Sequence, residues 1–124
     1  MSEVPNILVE KDGHILLIGI NRPDKRNSLT PEMMVDLANA LTMLSDDAEL
    51  RAGVLYGEGE HFTSGLDLMQ FVPYLSGQVP PLETPAIDAM QLKARCAKPL
   101  VAAVRGITFT VGIEIMLACD FAVA

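Results

Sequence analysis

One carboxylate, Glu114, stands near the start of a stretch that is otherwise largely apolar, Gly112 to Cys119. The density of apolar residues predicts a buried helix with Glu114 in its first turn. There the helix dipole favours the carboxylate while apolar surroundings favour the neutral acid, a balance that suits a group that exchanges protons. A first-turn glutamate that only stabilises its helix is the alternative interpretation of this residue taken alone.

Two segments of the chain share one pattern: an apolar strand, a loop with glycine, and a helix that begins at the loop. The first follows the apolar run at 52–56, and the second follows the run at 100–104. Such turns present unpaired backbone N–H groups at the positive end of a helix, where they favour an anion. Two of them that converge would form an oxyanion hole. Taken alone, the pattern also fits ordinary loops of an α/β domain.

Turn residues and hydrophobic spacing place the elements that must position these loops. Apolar runs at 7–10 and 15–20 flank an Asp12-Gly13 pair, which predicts an antiparallel hairpin. Thr30-Pro31 is typical of a helix N-cap followed by proline at the first helical position, and apolar residues at helical spacing continue to about Ser45. The strands and helices in alternation predict an α/β fold class.

A second N-cap pattern, Thr84-Pro85, predicts another helix that ends before Pro99. Its expected core face consists of Ile87, Met90 and Ala94. The segment 76–85 contains three prolines and a glycine and is expected to be an exposed loop. Residues 121–124 begin a further strand.

Composition limits the classes of partner. Half of the 124 residues are apolar and a fifth are charged, which is typical of a globular chain rather than a disordered one. The net charge of −7 argues against nucleic acid. A polyanionic ligand would have to be held by local cations and backbone N–H groups.

Neither the cysteines nor the apolar C-terminal stretch indicates a metal site or a membrane span. Cys96 and Cys119 have no metal-binding spacing and are expected to be buried free thiols in a reducing compartment, the cytoplasm. The segment 106–124 approaches membrane-spanning length, but Glu114 and Asp120 would each cost about 3 kcal/mol inside a bilayer. We therefore expect a core segment and no membrane partner.

Four blocks of the sequence resemble those of the crotonase (enoyl-CoA hydratase/isomerase) superfamily, and they occur in family order along the whole chain. Asn21-Arg22-Pro23-Asp24-Lys25-Arg26-Asn27-Ser28-Leu29 resembles N-R-P-x-x-x-N-A-L, and residues 57–68 resemble G-x-G-x-x-F-x-x-G-x-D-L. Residues 98–106 are similar to K-P-x-I-A-A-V-x-G, and 112–120 to G-x-E-L-x-L-A-C-D. The resemblance implies a spiral of repeated β-β-α units, with residues 1–124 as the N-terminal portion of a single domain.

The resemblance also implies an enzyme that binds an acyl-CoA thioester and stabilises its enolate. Leu66 N–H and Val111 N–H would form the oxyanion hole, and Glu114 would act as the catalytic acid/base with a second glutamate beyond residue 124. Hydration of a 2-enoyl-CoA is the expected reaction. Isomerase, decarboxylase and thioester hydrolase reactions, or a non-catalytic acyl-CoA-binding fragment, are the alternatives.

The resemblance places four residues at the coenzyme A: Lys25, Arg26, Ser64 and Leu66. The alternative for the two basic residues is a solvated charged loop. Coenzyme A would be part of the substrate, and no metal or redox cofactor is implied. Family members are commonly trimers or dimers of trimers, which is the expected assembly of the full-length protein.

Other residues that match the family blocks are expected to be structural. Asp67 and Asp120 should hydrogen-bond loop backbone, and His61 should be a surface histidine. Val111 stands where the family has a glycine run, so the loop must keep Val111 out of the positive-φ region. Because residues 121–124 enter an apolar strand, we expect the natural polypeptide to continue past Ala124.

Overall fold

A computed structural model describes residues 4–124, which form a five-stranded sheet and three α-helices. The strands are β1 (Ile7–Asp12), β2 (Ile15–Ile20), β3 (Ala52–Gly57), β4 (Leu100–Ala103) and β5 (Phe121–Val123). The helices are α1 (Pro31–Asp46), α2 (Leu68–Leu75) and α3 (Val111–Ala118), and Pro23–Lys25 form a short 3-10 turn. The order in the sheet is β1-β2-β3-β4-β5, so the α/β class predicted from the sequence is confirmed.

The hairpin and the first helix form where the turn and cap residues predict them. β1 pairs with β2 antiparallel, and Gly13 supplies the positive φ of 60° that the tight turn requires. Thr30 caps α1 by accepting a hydrogen bond from Met33 N at 3.2 Å, with Pro31 as the first helical residue.

The core lies between the sheet and α1. Leu16, Ile18 and Ile20 on β2 are fully buried, and they belong to one apolar cluster with the α1 residues Met33, Leu37, Leu41 and Leu44. Burial of each such side chain contributes about 1.5–3 kcal/mol. This packing fixes α1 against β2 and thereby the position of the segment between them.

The remaining strands are parallel to β2: β2 pairs with β3, β3 with β4, and β4 with β5. The carboxyl ends of parallel neighbours lie at the same edge of a sheet. The two loops that follow β3 and β4 therefore begin side by side.

The helix predicted from Thr84 to Pro99 is wrong, because that segment consists of turns and irregular backbone. Gln91 takes a left-handed φ of 53° and is buried. Its side-chain amide donates to Ala118 O (3.0 Å) and accepts from Cys96 N (2.8 Å). These side-chain hydrogen bonds hold the segment in an irregular conformation, although its local sequence favours a helix.

The C-terminal stretch is divided among a loop, the eight-residue α3 and β5. No helix within residues 4–124 combines the length and the apolar composition that crossing a membrane requires. Cys96 and Cys119 are free, as predicted, but half-buried rather than buried. Burial, reinforced by the neighbouring Asp120, raises the pKa of the Cys119 thiol to about 11, so this group stays protonated at neutral pH.

A fully buried amide, Asn27, joins the loop before α1 to the loop after β3. Its Oδ1 accepts from Arg22 N (2.8 Å), and its Nδ2 donates to Glu58 O (2.9 Å) and His61 O (2.7 Å). Its backbone oxygen accepts from Thr63 Oγ1 at 2.6 Å. Because every polar atom of this buried side chain is paired, the amide is a specific cross-link between the two loops.

We expect Asn27→Asp to lower the free energy of unfolding by about 3 kcal/mol or more, because a buried carboxylate oxygen would replace Nδ2 opposite two carbonyl oxygens. Asn39→Asp, the same change on an exposed position of α1, should cost within about 0.5 kcal/mol. Urea unfolding of the natural-length polypeptide measures both. Equal losses in the two variants would contradict the cross-link.

Candidate functional site

The loops after β3 and β4 are hydrogen-bonded to each other beyond the end of the sheet. Phe62 N donates to Arg105 O (2.9 Å), Thr63 N donates to Ile107 O (3.2 Å), and Phe109 N donates to Thr63 O (3.1 Å). These bonds continue the parallel pairing of the two strands. The two glycine-bearing loops predicted to converge therefore do so.

Gly65 and Gly112 are among the glycines that allow the close approach of the loops. A methyl group on Gly65 would overlap Thr110 Oγ1, and one on Gly112 would lie 2.6 Å from Thr63 Cγ2. Gly65 also has a φ of +109°, a conformation that residues with a side chain rarely adopt. Both glycines thus let the second loop lie directly on the first.

The backbone donors that the loops leave unused include two of the predicted site. No acceptor within residues 4–124 pairs with Leu66 N–H or Val111 N–H. The neighbours of Leu66 are paired, since Gly65 N donates to Thr63 Oγ1 (3.1 Å) and Asp67 N donates to Leu29 O (2.9 Å). The backbone around the free N–H of Leu66 is therefore held in place.

The second loop has Val111 where the family has a glycine run, and the residue with the positive φ is Thr110, one position earlier. Val111 is the first residue of α3 and has no positive φ, as predicted for a β-branched residue. Thr110 instead takes a φ of 47° with a ψ of −112°. The Val111 N–H thereby stands at the N-terminus of α3, the positive end of the helix.

One cavity of about 470 Å³ brings four of the predicted site residues together. Its lining consists of Ser64, Leu66, Leu68, Met90, Thr110, Val111 and Glu114. Glu114 lies in the first turn of α3, as predicted, with an exposed side chain. Its surroundings in the cavity are mainly apolar. A residue with a carboxylate and two residues with unpaired N–H groups thus line one cavity, a combination suited to stabilising an oxyanion beside a proton-transfer group.

Lys25 and Ser64 border a second, shallower cavity of about 680 Å³, which shares Ser64, Leu66 and Leu68 with the first. Arg26 does not join them. Arg26 has a left-handed φ of 52°. It lines a different cavity, of about 390 Å³, whose lining includes Asp24, Glu58 and Glu60. The structure therefore separates the two basic residues, and acidic neighbours make the surroundings of Arg26 less favourable for a phosphate.

The aspartates of the family blocks have structural contacts. Asp67 Oδ2 accepts from Arg22 Nη1 at 2.8 Å, and the same nitrogen donates to Ser28 Oγ at 2.9 Å. Asp67 thus pairs with a side chain rather than with the loop backbone that we expected. Asp120 Oδ2 accepts from Leu100 N at 2.8 Å, the predicted kind of contact.

The expectation that His61 is a surface residue is wrong. The side chain is half-buried between the loops, and its Nδ1 accepts a hydrogen bond from Ile107 N at 2.9 Å. Sequence reasoning gave no role to His61 or to Asn27, because their partners lie 46 and 31–34 positions away in the chain. Within residues 4–124 no three His, Cys, Asp or Glu side chains are grouped as metal ligands.

Both the sequence and the fold are similar to those of known proteins. Residues 10–124 match the family model described as enoyl-CoA hydratase/isomerase. A solved structure of a probable enoyl-CoA hydratase/isomerase from Mycobacterium abscessus superposes with a TM-score of 0.84 at 42% identity, covering 94% of this chain and 45% of that one. The architecture thus agrees with the fold that the resemblance implies.

Two curated relatives carry different names. The chain is 40% identical over 119 residues to the probable peroxisomal enoyl-CoA hydratase 1 of Arabidopsis thaliana, covering 95% of this chain and 44% of the relative. It is 31% identical over 118 residues to the mitochondrial Delta(3,5)-Delta(2,4)-dienoyl-CoA isomerase of Homo sapiens, covering 86% of this chain and 36% of the relative. The chain therefore spans less than half the length of either relative.

We expect Gly65→Ala to lower the free energy of unfolding by about 2 kcal/mol more than Gly77→Ala. Both positions have a positive φ, so both variants lose the left-handed preference of glycine, about 1 kcal/mol. Only at Gly65 does the added methyl meet the other loop, whereas a methyl on Gly77 has nothing within 4 Å. Denaturant unfolding of the natural-length variants measures the difference. Equal losses would show that the loops are not in close contact.

Proposed function

This chain belongs to the enoyl-CoA hydratase/isomerase family, and we propose that it supplies part of the active site of an enzyme that binds an acyl-CoA thioester and stabilises its enolate. The observation that carries the proposal is the cavity lined by Leu66, Val111 and Glu114, of which the first two have an unpaired N–H group within residues 4–124. The relatives' names support the acyl-CoA class of substrate.

The thioester oxygen accepts hydrogen bonds from Leu66 N–H and Val111 N–H. When negative charge develops on that oxygen, two fixed donors and the N-terminus of α3 stabilise it more than they stabilise the neutral carbonyl. The paired neighbours of Leu66 hold its donor in place before the substrate arrives, so little reorganisation is needed. The side chains at these two positions are free to vary, because the backbone does the work.

Glu114 exchanges a proton with the acyl chain. In hydration of a 2-enoyl-CoA, water adds its oxygen to the β-carbon and a proton goes to the α-carbon, with the enolate as the species that the two donors stabilise. Glu114 shares this proton transfer with a second carboxylate supplied from outside this chain. The name of the Arabidopsis relative supports hydration as the reaction.

Isomerisation is the second candidate, favoured by the similarity to the human dienoyl-CoA isomerase. It needs the same enolate stabilisation, with a proton removed from one carbon of the acyl chain and returned to another. Glu114 is the group in this chain placed to move it. Products from one enoyl-CoA and one dienoyl-CoA substrate distinguish the two reactions.

Coenzyme A is held as part of the substrate, next to Lys25 and Ser64 in the shallower cavity. Lys25 is exposed and supplies a local positive charge in a chain whose net charge is −7. Arg22, on the same cavity, is already paired with Asp67 and serves mainly to hold the loop. The shared lining residues connect the coenzyme and acyl parts of the site.

We expect Glu114→Gln to lower kcat by about 10²–10⁴-fold while leaving acyl-CoA affinity largely intact, because the amide keeps the shape but cannot exchange the proton. Turnover of crotonyl-CoA and binding of a saturated acyl-CoA by the natural-length protein measure the two effects. Glu49→Gln is the matched control. Glu49 is exposed and precedes β3, at the sheet edge opposite the site loops. Wild-type turnover in Glu114→Gln would exclude the acid/base role of Glu114.

We expect Leu66→Pro to lower kcat by about 10²-fold or more, because proline deletes the proposed donor. The change removes no hydrogen bond within residues 4–124, since the Leu66 N–H has no partner there. Leu66→Ala keeps the N–H and should cost far less. Turnover of both variants, with equilibrium unfolding to detect distortion of the loop, makes the comparison. Equal activity in the two would remove Leu66 N–H from the mechanism.

A further inference from the structure

Thr110 is a β-branched residue in a backbone conformation that such residues rarely adopt, with a φ of 47° and a ψ of −112°. It stands directly before the Val111 donor. Strained residues of this kind persist only where the surrounding structure holds them, and they concentrate at functional sites. Thr110 is therefore a candidate functional residue.

Hydrogen bonds hold the backbone of Thr110 in place, and its hydroxyl lies beside the first loop. The carbonyl oxygen of Thr110 accepts from Ile113 N (3.0 Å) and Glu114 N (3.3 Å), which fixes the residue to the first turn of α3. On the other side, Thr110 Oγ1 occupies the space that a side chain on Gly65 would need. The hydroxyl of this exposed residue therefore lies against Gly65 of the first loop.

This location puts the hydroxyl close to the residues that carry the two backbone donors. Gly65, against which Oγ1 lies, is bonded to Leu66, and Thr110 itself is bonded to Val111. Thr110 lines the same cavity as both donors and Glu114. The hydroxyl has no hydrogen-bond partner among the side chains and backbone of residues 4–124. A residue with an unpartnered hydroxyl donor thus lines the cavity that Leu66, Val111 and Glu114 also line.

We propose that the Thr110 hydroxyl is a third hydrogen-bond donor to the thioester oxygen, acting with Leu66 N–H and Val111 N–H. This inference rests on the proposed function and deepens it. A hydroxyl rotates to suit its partner, so it donates to the oxygen as charge develops there. A hydrogen bond to a charged oxygen is stronger than one to a neutral carbonyl, and the gain is therefore larger in the transition state than in the bound substrate.

Three substitutions at this position separate the hydroxyl from the strain and from the bulk of the side chain. Thr110→Val keeps the shape and the β-branching but has no O–H. Thr110→Ser keeps the O–H and loses the methyl group. Thr110→Gly loses the O–H and also relieves the strain, so it supplies a folded variant without the donor if Thr110→Val folds poorly. Circular dichroism and thermal unfolding check the fold of each natural-length variant.

The decisive measurement is the infrared stretch of the carbonyl of butyryl-CoA labelled with ¹³C at that carbon, bound to each variant. Donors to the oxygen lower this frequency, and a purely structural residue would not change it. We expect Thr110→Val and Thr110→Gly to lose part of the wild-type shift, and Thr110→Ser to retain most of it. The same loss should lower kcat for crotonyl-CoA by about 10- to 100-fold in Thr110→Val, with a smaller effect on KM.

An unchanged carbonyl frequency in both Thr110→Val and Thr110→Gly would overturn the inference, whatever happens to kcat. A loss in Thr110→Ser as large as that in Thr110→Val would also overturn it, because shape rather than the O–H would then matter. These outcomes leave the proposed function standing. A wild-type protein that neither binds butyryl-CoA nor shifts its carbonyl stretch would instead refute the proposed function, and this inference with it.

Discussion

The buried amide of Asn27 is the interaction on which the geometry of the site depends. It ties the segment that leads into α1 to the loop that follows β3, and every polar atom of its side chain is paired. The loop that it anchors carries Leu66, which lines the cavity and whose N–H has no partner within residues 4–124. Because unpaired polar groups in a protein interior cost free energy, this network stabilises one arrangement of the loops over others. The apolar core fixes the positions of α1 and β2. The Asn27 amide then fixes the loop after β3 relative to them.

A second constraint is the close contact of two loops that belong to distant parts of the chain. Parallel pairing of β3 with β4 brings them to one edge of the sheet, and the missing side chain of Gly65 lets them touch. At this contact Thr110 Oγ1 lies against Gly65. The proposed oxyanion hole depends on loops this close, and the strained backbone of Thr110 stands where they touch.

Local sequence patterns predicted the structure correctly where the residues that determine it lie close together in the sequence. The hairpin and the start of α1 were predictable because Gly13 and the Thr30-Pro31 pair act within a few residues of themselves. The same reasoning failed between Thr84 and Pro99. There the buried Gln91 bonds to Ala118, 27 positions away, and this contact outweighs a helical pattern of modest strength.

The sequence by itself determined the order of the elements, the family blocks and the placing of Glu114 in the first turn of α3, because periodicity and capping act over short stretches of chain. Tertiary structure alone decided which N–H groups are left unpaired, how Lys25 and Arg26 come to border different cavities, and why His61 lies between the loops. Each of these facts depends on a contact between residues far apart in the chain or on a left-handed φ at a single residue. No pattern of neighbouring residues encodes such contacts, since they exist only once the strands have paired and the loops have packed.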